Sequence, residues 1–149
     1  MKILVTGAAG MLGAAVVENV QREDWEVVLT GRTVGRGATV AMDISDWQAV
    51  RNRMEEERPD LVLHLAAETD VDRCEREPDH AFATNAFGTE NVARACLQVG
   101  AMLVYVSTGN VFDGEKIETY TEYDTPGSIN IYGRSKRAGV PRPPEPVPR

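Results

Sequence analysis

The sequence predicts a three-layer αβα fold of the α/β class, built on a doubly wound parallel sheet. Two patterns carry this reading. Short β-branched runs alternate with longer amphipathic stretches, and a glycine cluster follows directly on the first of those runs. Taken in order, Ile3 to Thr6 reads as a buried strand, and a helix from about Met11 to Gln21 places Leu12, Val16, Val17 and Val20 at helical spacing. Glu26 to Thr30 makes the second strand. Ser45 is positioned to cap a helix that runs to about Arg58, with Trp47, Val50 and Met54 inward, until Pro59-Asp60 stops it. Leu61 to Leu65 is the third strand. Pro78 suits a first helical turn, and the helix it opens ends before Gly100 with Phe82, Ala86, Val92, Ala93 and Cys96 inward. Met102 to Ser107 is the fourth strand, and a last short helix starts near Asn130 or Ile131.

The chain divides at its end. Residues 1–139 hold the alternating pattern, while residues 140–149 contain five prolines in ten positions. Proline lacks the N–H and clashes with a preceding helical turn, so this stretch predicts an extended, disordered tail.

With 149 residues, 42% hydrophobic and 26% charged, the chain has the size and composition of one soluble domain. Its net charge of -7 argues against nucleic acid or an anionic membrane as partner, since both reward surplus Lys and Arg. No apolar run approaches the ~20 residues of a membrane span, and glycine interrupts the apolar N-terminus at position 7, which together predict a cytoplasmic protein. Cys74 and Cys96 form no CxxC and have no histidine cluster beside them, which speaks against a disulfide framework or a zinc site.

Thr6-Gly7-Ala8-Ala9-Gly10-Met11-Leu12-Gly13 lies between the first strand and the first helix. In that context Gly7 permits the tight turn, Gly10 lets the backbone approach a pyrophosphate, and Gly13 allows the helix to pack closely on the strand. The helix N-terminus offers free N–H groups and partial positive charge to phosphates. Gly7, Gly10, Met11, Leu12 and Gly13 are therefore candidate cofactor contacts of a Rossmann-type fold. An NAD site commonly carries Asp or Glu at the end of the second strand, but here that strand ends Leu29-Thr30-Gly31-Arg32. Arg32, helped by Arg36, suits a ribose 2'-phosphate, so NADP(H) is favoured over NAD(H).

Tyr132-Gly133-Arg134-Ser135-Lys136 opens the last helix. A spacing of four sets Tyr132 and Lys136 on one helical face, where an ammonium stabilises a phenolate and makes a usable acid. Ser107-Thr108 ends the fourth strand on the ligand-facing edge of the sheet and brings a hydroxyl to the same substrate oxygen.

The glycine loop, Leu65-Ala66-Ala67, Thr84-Asn85-Ala86-Phe87-Gly88-Thr89, the run from Ser107 to Gly114 and YxxxK occur in the order found in the extended short-chain dehydrogenases, and the chain most resembles the dTDP-4-dehydrorhamnose reductases and their relatives over about residues 1 to 139. The resemblance implies an NAD(P)-binding Rossmann domain with Thr108, Tyr132 and Lys136 as the catalytic triad. It implies a nucleotide-linked 4-keto sugar as substrate, with Tyr132 protonating the carbonyl oxygen, Thr108 orienting it and Lys136 also holding the nicotinamide ribose. It further implies that Asp43 and Ile44 lie against the adenine, that Ala66 and Ala67 line the cofactor cleft, and that Asn85 belongs to the same site and organises the strand ends. Family members continue for roughly as many residues again, so the substrate domain is absent here. Apolar surface meant for it leaves room for a homodimer. The same likeness extends to the non-catalytic regulatory subunit of methionine adenosyltransferase and to sugar-nucleotide epimerases. Dehydratases are disfavoured, since they want acids where this sequence has Gly109 and Asn110.

Overall fold

The computed structural model describes residues 1–20, 24–35 and 37–140. Arg36 and the proline-rich stretch after Val140 lie outside the described residues, as does the predicted last helical residue, Gln21. Among the described residues five strands, β1 (Lys2–Thr6), β2 (Glu26–Gly31), β3 (Val40–Ala41), β4 (Leu61–His64) and β5 (Met102–Tyr105), pair in the order β3-β2-β1-β4-β5. Every neighbouring pair is parallel. The chain moves outward from β1 through β2 to β3, then crosses over to β4 and β5. This is the doubly wound Rossmann-type arrangement predicted from the sequence, and its direction reverses between β1 and β4. Such a switch point opens a crevice beyond the carboxyl ends of the strands.

The alternating side chains of β1 explain why both faces of the sheet are covered. Leu4 enters one core layer with Val62, with Val50 and Met54 of α2 (Trp47–Glu57), and with Val92, Ala95 and Cys96 of α5 (Gly88–Val99). Ile3 and Val5 enter the other layer with Ala8 and Leu29, against Val17 of α1 (Met11–Val20). Burial pushes the Cys96 thiol up to about 11, in keeping with its place as a small apolar side chain.

Several predicted details change. The cap of α2 is Asp46, whose carboxylate accepts from the N–H groups of Gln48 and Ala49 at 2.9 and 3.2 Å. Ser45 stands one residue before the cap, and its hydroxyl donates to Asp43 Oδ1 at 2.7 Å. The predicted fourth strand is β5, since the two-residue β3 intervenes; it pairs only at Thr30 and Gly31 of β2 and is too short to show a period. A further short helix, α3 (Val71–Arg76), is capped by Asp70. The long helix predicted from Pro78 to Gly100 is α4 (Pro78–Phe82) running into α5 through one wide π turn at Ala83–Phe87. The last helix, α6 (Ile131–Ala138), begins where predicted, with the Asn130 side chain accepting from Gly133 N.

Candidate functional site

The glycine loop is held by the atoms beside it. Gly7 adopts φ +71°, and a Cβ there would stand 2.6 Å from Ala66 N, so both backbone shape and space require glycine. At Gly13 a Cβ would overlap the Gly7 carbonyl oxygen and stand 2.8 Å from Ala8, so this residue seats α1 on the loop. Gly10 N donates to Gly7 O at 3.0 Å, and Ala14 N donates to Gly10 O at 2.9 Å to begin the helix. The first turn of α1 has no acidic residue, which leaves its partial positive charge uncancelled.

Beyond this loop lies a cavity of about 560 Å³. Gly7, Gly10, Met11, Leu12 and Gly13 line one end, Arg32, Asp43 and Ile44 one flank, Ala66 and Ala67 the floor, and Tyr132 and Lys136 the far end. Met11 and Leu12 are exposed, so Leu12 faces this cleft rather than the core. Sequence reasoning missed Glu68, Thr69, His80 and Thr84, which also line it. Glu68 Oε2 pairs with Arg73 at 3.0 Å and with His80 at 3.3 Å. Nothing in their local sequence sets these residues apart, because their neighbours come from the loop after β4 and from α4 folding together.

Asp43 is fixed by Ser45, whose N–H and hydroxyl both donate to Oδ1. Burial raises the Asp43 carboxyl, but the Ser45 bonds, with Arg32 and His80 nearby, outweigh it and leave the group below its ordinary range.

At the far end Lys136 is buried at 3% exposure, and its Nζ donates to Val106 O at 2.9 Å and stands 4.2 Å above the Tyr105 ring. Burial lowers the ammonium to about 8, so it stays charged at neutral pH while its proton is held loosely. Tyr105, pushed up to about 12 by burial, keeps its proton and donates to Lys136 O at 3.0 Å. Thr108 stands off the cavity lining, which takes in Ser107 instead. Its Oγ1 accepts from Asn110 N and Nδ2 at 3.2 and 3.3 Å, so its own hydroxyl proton points elsewhere.

Asn85, read from sequence as a cofactor contact, is fully buried and does not line the cleft. Its Oδ1 accepts from Glu68 N at 2.8 Å, and its Nδ2 donates to Glu68 O and to Ser135 Oγ, both at 3.0 Å. With both amide hydrogens engaged, it fastens the loop after β4 to α6. Its part in organising the strand ends is the part this geometry supports.

A parallel sheet with a glycine-cradled helix N-terminus at its switch point defines a Rossmann-type nucleotide-binding protein. The sequence matches the family described as RmlD substrate binding domain over residues 1–140, and the chain belongs to that family. It is 42% identical to dTDP-4-dehydrorhamnose reductase of Streptomyces griseus over 136 residues, covering 91% of this chain and 42% of that protein. It is 36% identical to methionine adenosyltransferase 2 subunit beta of Rattus norvegicus over 138 residues, covering 93% and 41%. Among solved structures it resembles dTDP-4-dehydrorhamnose reductase of Bacillus anthracis in complex with NADP, with a TM-score of 0.85 and 40% identity over 93% of this chain and 47% of that one. The chain thus spans less than half the length of these relatives. Among the described residues no helix is long and apolar enough to cross a membrane.

Proposed function

We propose that this chain is the cofactor-binding segment of an NADPH-dependent reductase acting on a nucleotide-linked 4-keto sugar. The observation that carries the reading is the single cleft joining the glycine loop to Tyr132 and Lys136. The close backbone packing that Gly7 and Gly13 permit sets the N-terminus of α1 beside the loop, where its free N–H groups suit a pyrophosphate. Asp43 and Ile44 take the adenine side, and Arg32, exposed at the mouth, takes a 2'-phosphate. When bound, the nicotinamide supplies hydride to the carbonyl carbon. Tyr132 gives its hydroxyl proton to the carbonyl oxygen, and Thr108 orients that oxygen with the proton its Asn110 contacts leave unused. Lys136 favours the phenolate that Tyr132 becomes and holds the nicotinamide ribose.

Remote parts of a substrate normally supply the binding energy that supports the chemical step. A chain spanning less than half of its relatives is therefore expected to bind cofactor and to turn over weakly. The test is reduction of a dTDP-linked 4-keto sugar with NADPH, followed by loss of reduced-nicotinamide absorbance. Turnover that Tyr132→Phe removes supports the roles assigned, and turnover that survives it refutes them.

The likeness to methionine adenosyltransferase 2 subunit beta favours a second reading, a non-catalytic binding partner using the same cleft. Saturable association with a methionine adenosyltransferase catalytic subunit, without sugar-nucleotide turnover, would select it.

A further inference from the structure

Behind the cleft lies a buried titratable group that the reaction does not use. His64, at the end of β4, is 1% exposed and sits among Thr6, Thr89, Tyr105 and Lys136. Its ring stacks on Tyr105 with centroids 5.7 Å apart, on the ring that also carries the Lys136 ammonium.

The hydrogen bonds around it run in one direction only. Thr6 Oγ1 accepts from Leu65 N and Ala66 N, each at 3.2 Å, so its own proton goes to His64 Nδ1 at 2.6 Å. Thr89 Oγ1 donates to Asn85 O at 2.8 Å, so it must accept from His64 Nε2 at 3.1 Å. Each hydroxyl has one proton, and reversing the chain would leave the Thr6 proton without an acceptor. His64 is therefore neutral, with its hydrogen on Nε2. Burial, helped by repulsion from Lys136, lowers the imidazole to about 3.

We propose that His64 is a positioning residue: as the Nε2–H tautomer it ties the start of the glycine loop, the exit of β4 and the helix carrying Asn85 into one frame behind the cofactor cleft. Through Thr6 it fixes the N–H of Ala66, the residue that a side chain at Gly7 would strike. Through Thr89 and Asn85 it reaches Glu68 and, by way of Ser135, the backbone oxygen of Tyr132 at 2.8 Å. The frame concerns the cleft assigned above to NADPH, so its bearing on affinity rests on that reading.

The chain contains two histidines, so nitrogen-15 spectra of histidine-labelled protein report His64 directly. The expected result is a hydrogen on Nε2, a bare Nδ1 and no titration down to about pH 5. A hydrogen on Nδ1, or titration near the ordinary histidine value, would overturn the proposal. Amide exchange then measures the frame. In His64→Leu the Ala66 and Glu68 amides should exchange about tenfold faster, as expected for loss of buried hydrogen bonds, while Val5 and Val62 in the strand cores keep their rates. His64→Gln, which restores one donor, should recover part of the protection. Uniform acceleration across the sheet would show a merely structural role, and unchanged rates would show none; both overturn the proposal. NADPH titration of the same variants separates the two readings. Wild-type binding that His64→Leu leaves intact removes His64 from positioning the cofactor. Selective exchange in a chain that binds neither NADPH nor NADH upholds the frame and sinks the cofactor assignment instead.

Discussion

The two ends of the cleft are built differently. At the glycine loop β1, α1, the Arg32 turn, the Asp43 turn and the loop after β4 line one space. At the Tyr132 end the sheet of the described residues ends at β5, whose Met102 and Val104 are 64% and 40% exposed, with Val106 beyond it 37% exposed, and Ser107 rather than Thr108 lines the cavity. On the function proposed above, cofactor recognition rests on the first βαβ units, and the grip on a substrate rests on surface outside them. Exposed apolar side chains on and beside an edge strand also favour association with a second copy or another chain.

The sharpest way to separate the two ends is Tyr132→Phe. Turnover of a nucleotide-linked 4-keto sugar should fall by about 10²–10⁴-fold, the usual worth of a positioned acid, with the NADPH dissociation constant unchanged. Gly13→Val attacks the other end. Its side chain would strike the Gly7 carbonyl and Ala8, so dinucleotide binding should be lost and stability should drop by about 1–3 kcal/mol in denaturant unfolding. Arg32→Ala should weaken NADPH by about tenfold and spare NADH, the loss expected for one charge-assisted bond to phosphate; equal losses for both would remove Arg32 from that role.

Lys136→Met should split stability from function. Its folded-state pKa lies near 8, below the ordinary 10.5, so the charged form is the one that folding disfavours below about pH 8. Replacing it with an apolar chain should leave the melting temperature equal or higher while cofactor affinity falls. A lower melting temperature would contradict this. The mildest probe is pH. His64 is depressed to about 3 in the folded protein from an ordinary 6.5, so its contribution is fully present above about pH 6.5. Stability should then fall toward pH 3 with a slope from this group of up to about 1.4 kcal/mol per unit. Denaturant unfolding at neutral and mildly acidic pH should show that slope in the wild type and its loss in His64→Leu.

What could be read in the sequence divides along the same line. The glycine loop and YxxxK are short-range patterns, in which backbone shape and helical spacing fix the roles of Gly7, Gly13, Tyr132 and Lys136 within a few residues. The order of the motifs named the family, and the helix start at Pro78 followed from the preference of proline for a first helical turn. Asn85 and His64 show the limit. The partners of Asn85 lie 17 and 50 residues away in sequence, and those of His64 lie 58 and 25 away, so no local pattern reveals whether such a side chain faces a ligand or a hydrogen-bond network. The α3 helix was illegible for a different reason: at six residues it has too few turns to show a period. Asp46 rather than Ser45 caps α2, and Asp43, Ser45 and Asp46 lie so close in sequence that spacing alone does not tell which of them takes the helix N–H groups.

On the proposed function, this segment builds a working dinucleotide site on its own residues. Titration of the chain with NADPH and, separately, with NADH tests it most directly. Saturable binding of both is expected, tighter for NADPH because of Arg32. Absence of saturable binding to either, in a chain shown by circular dichroism to be folded, would contradict it.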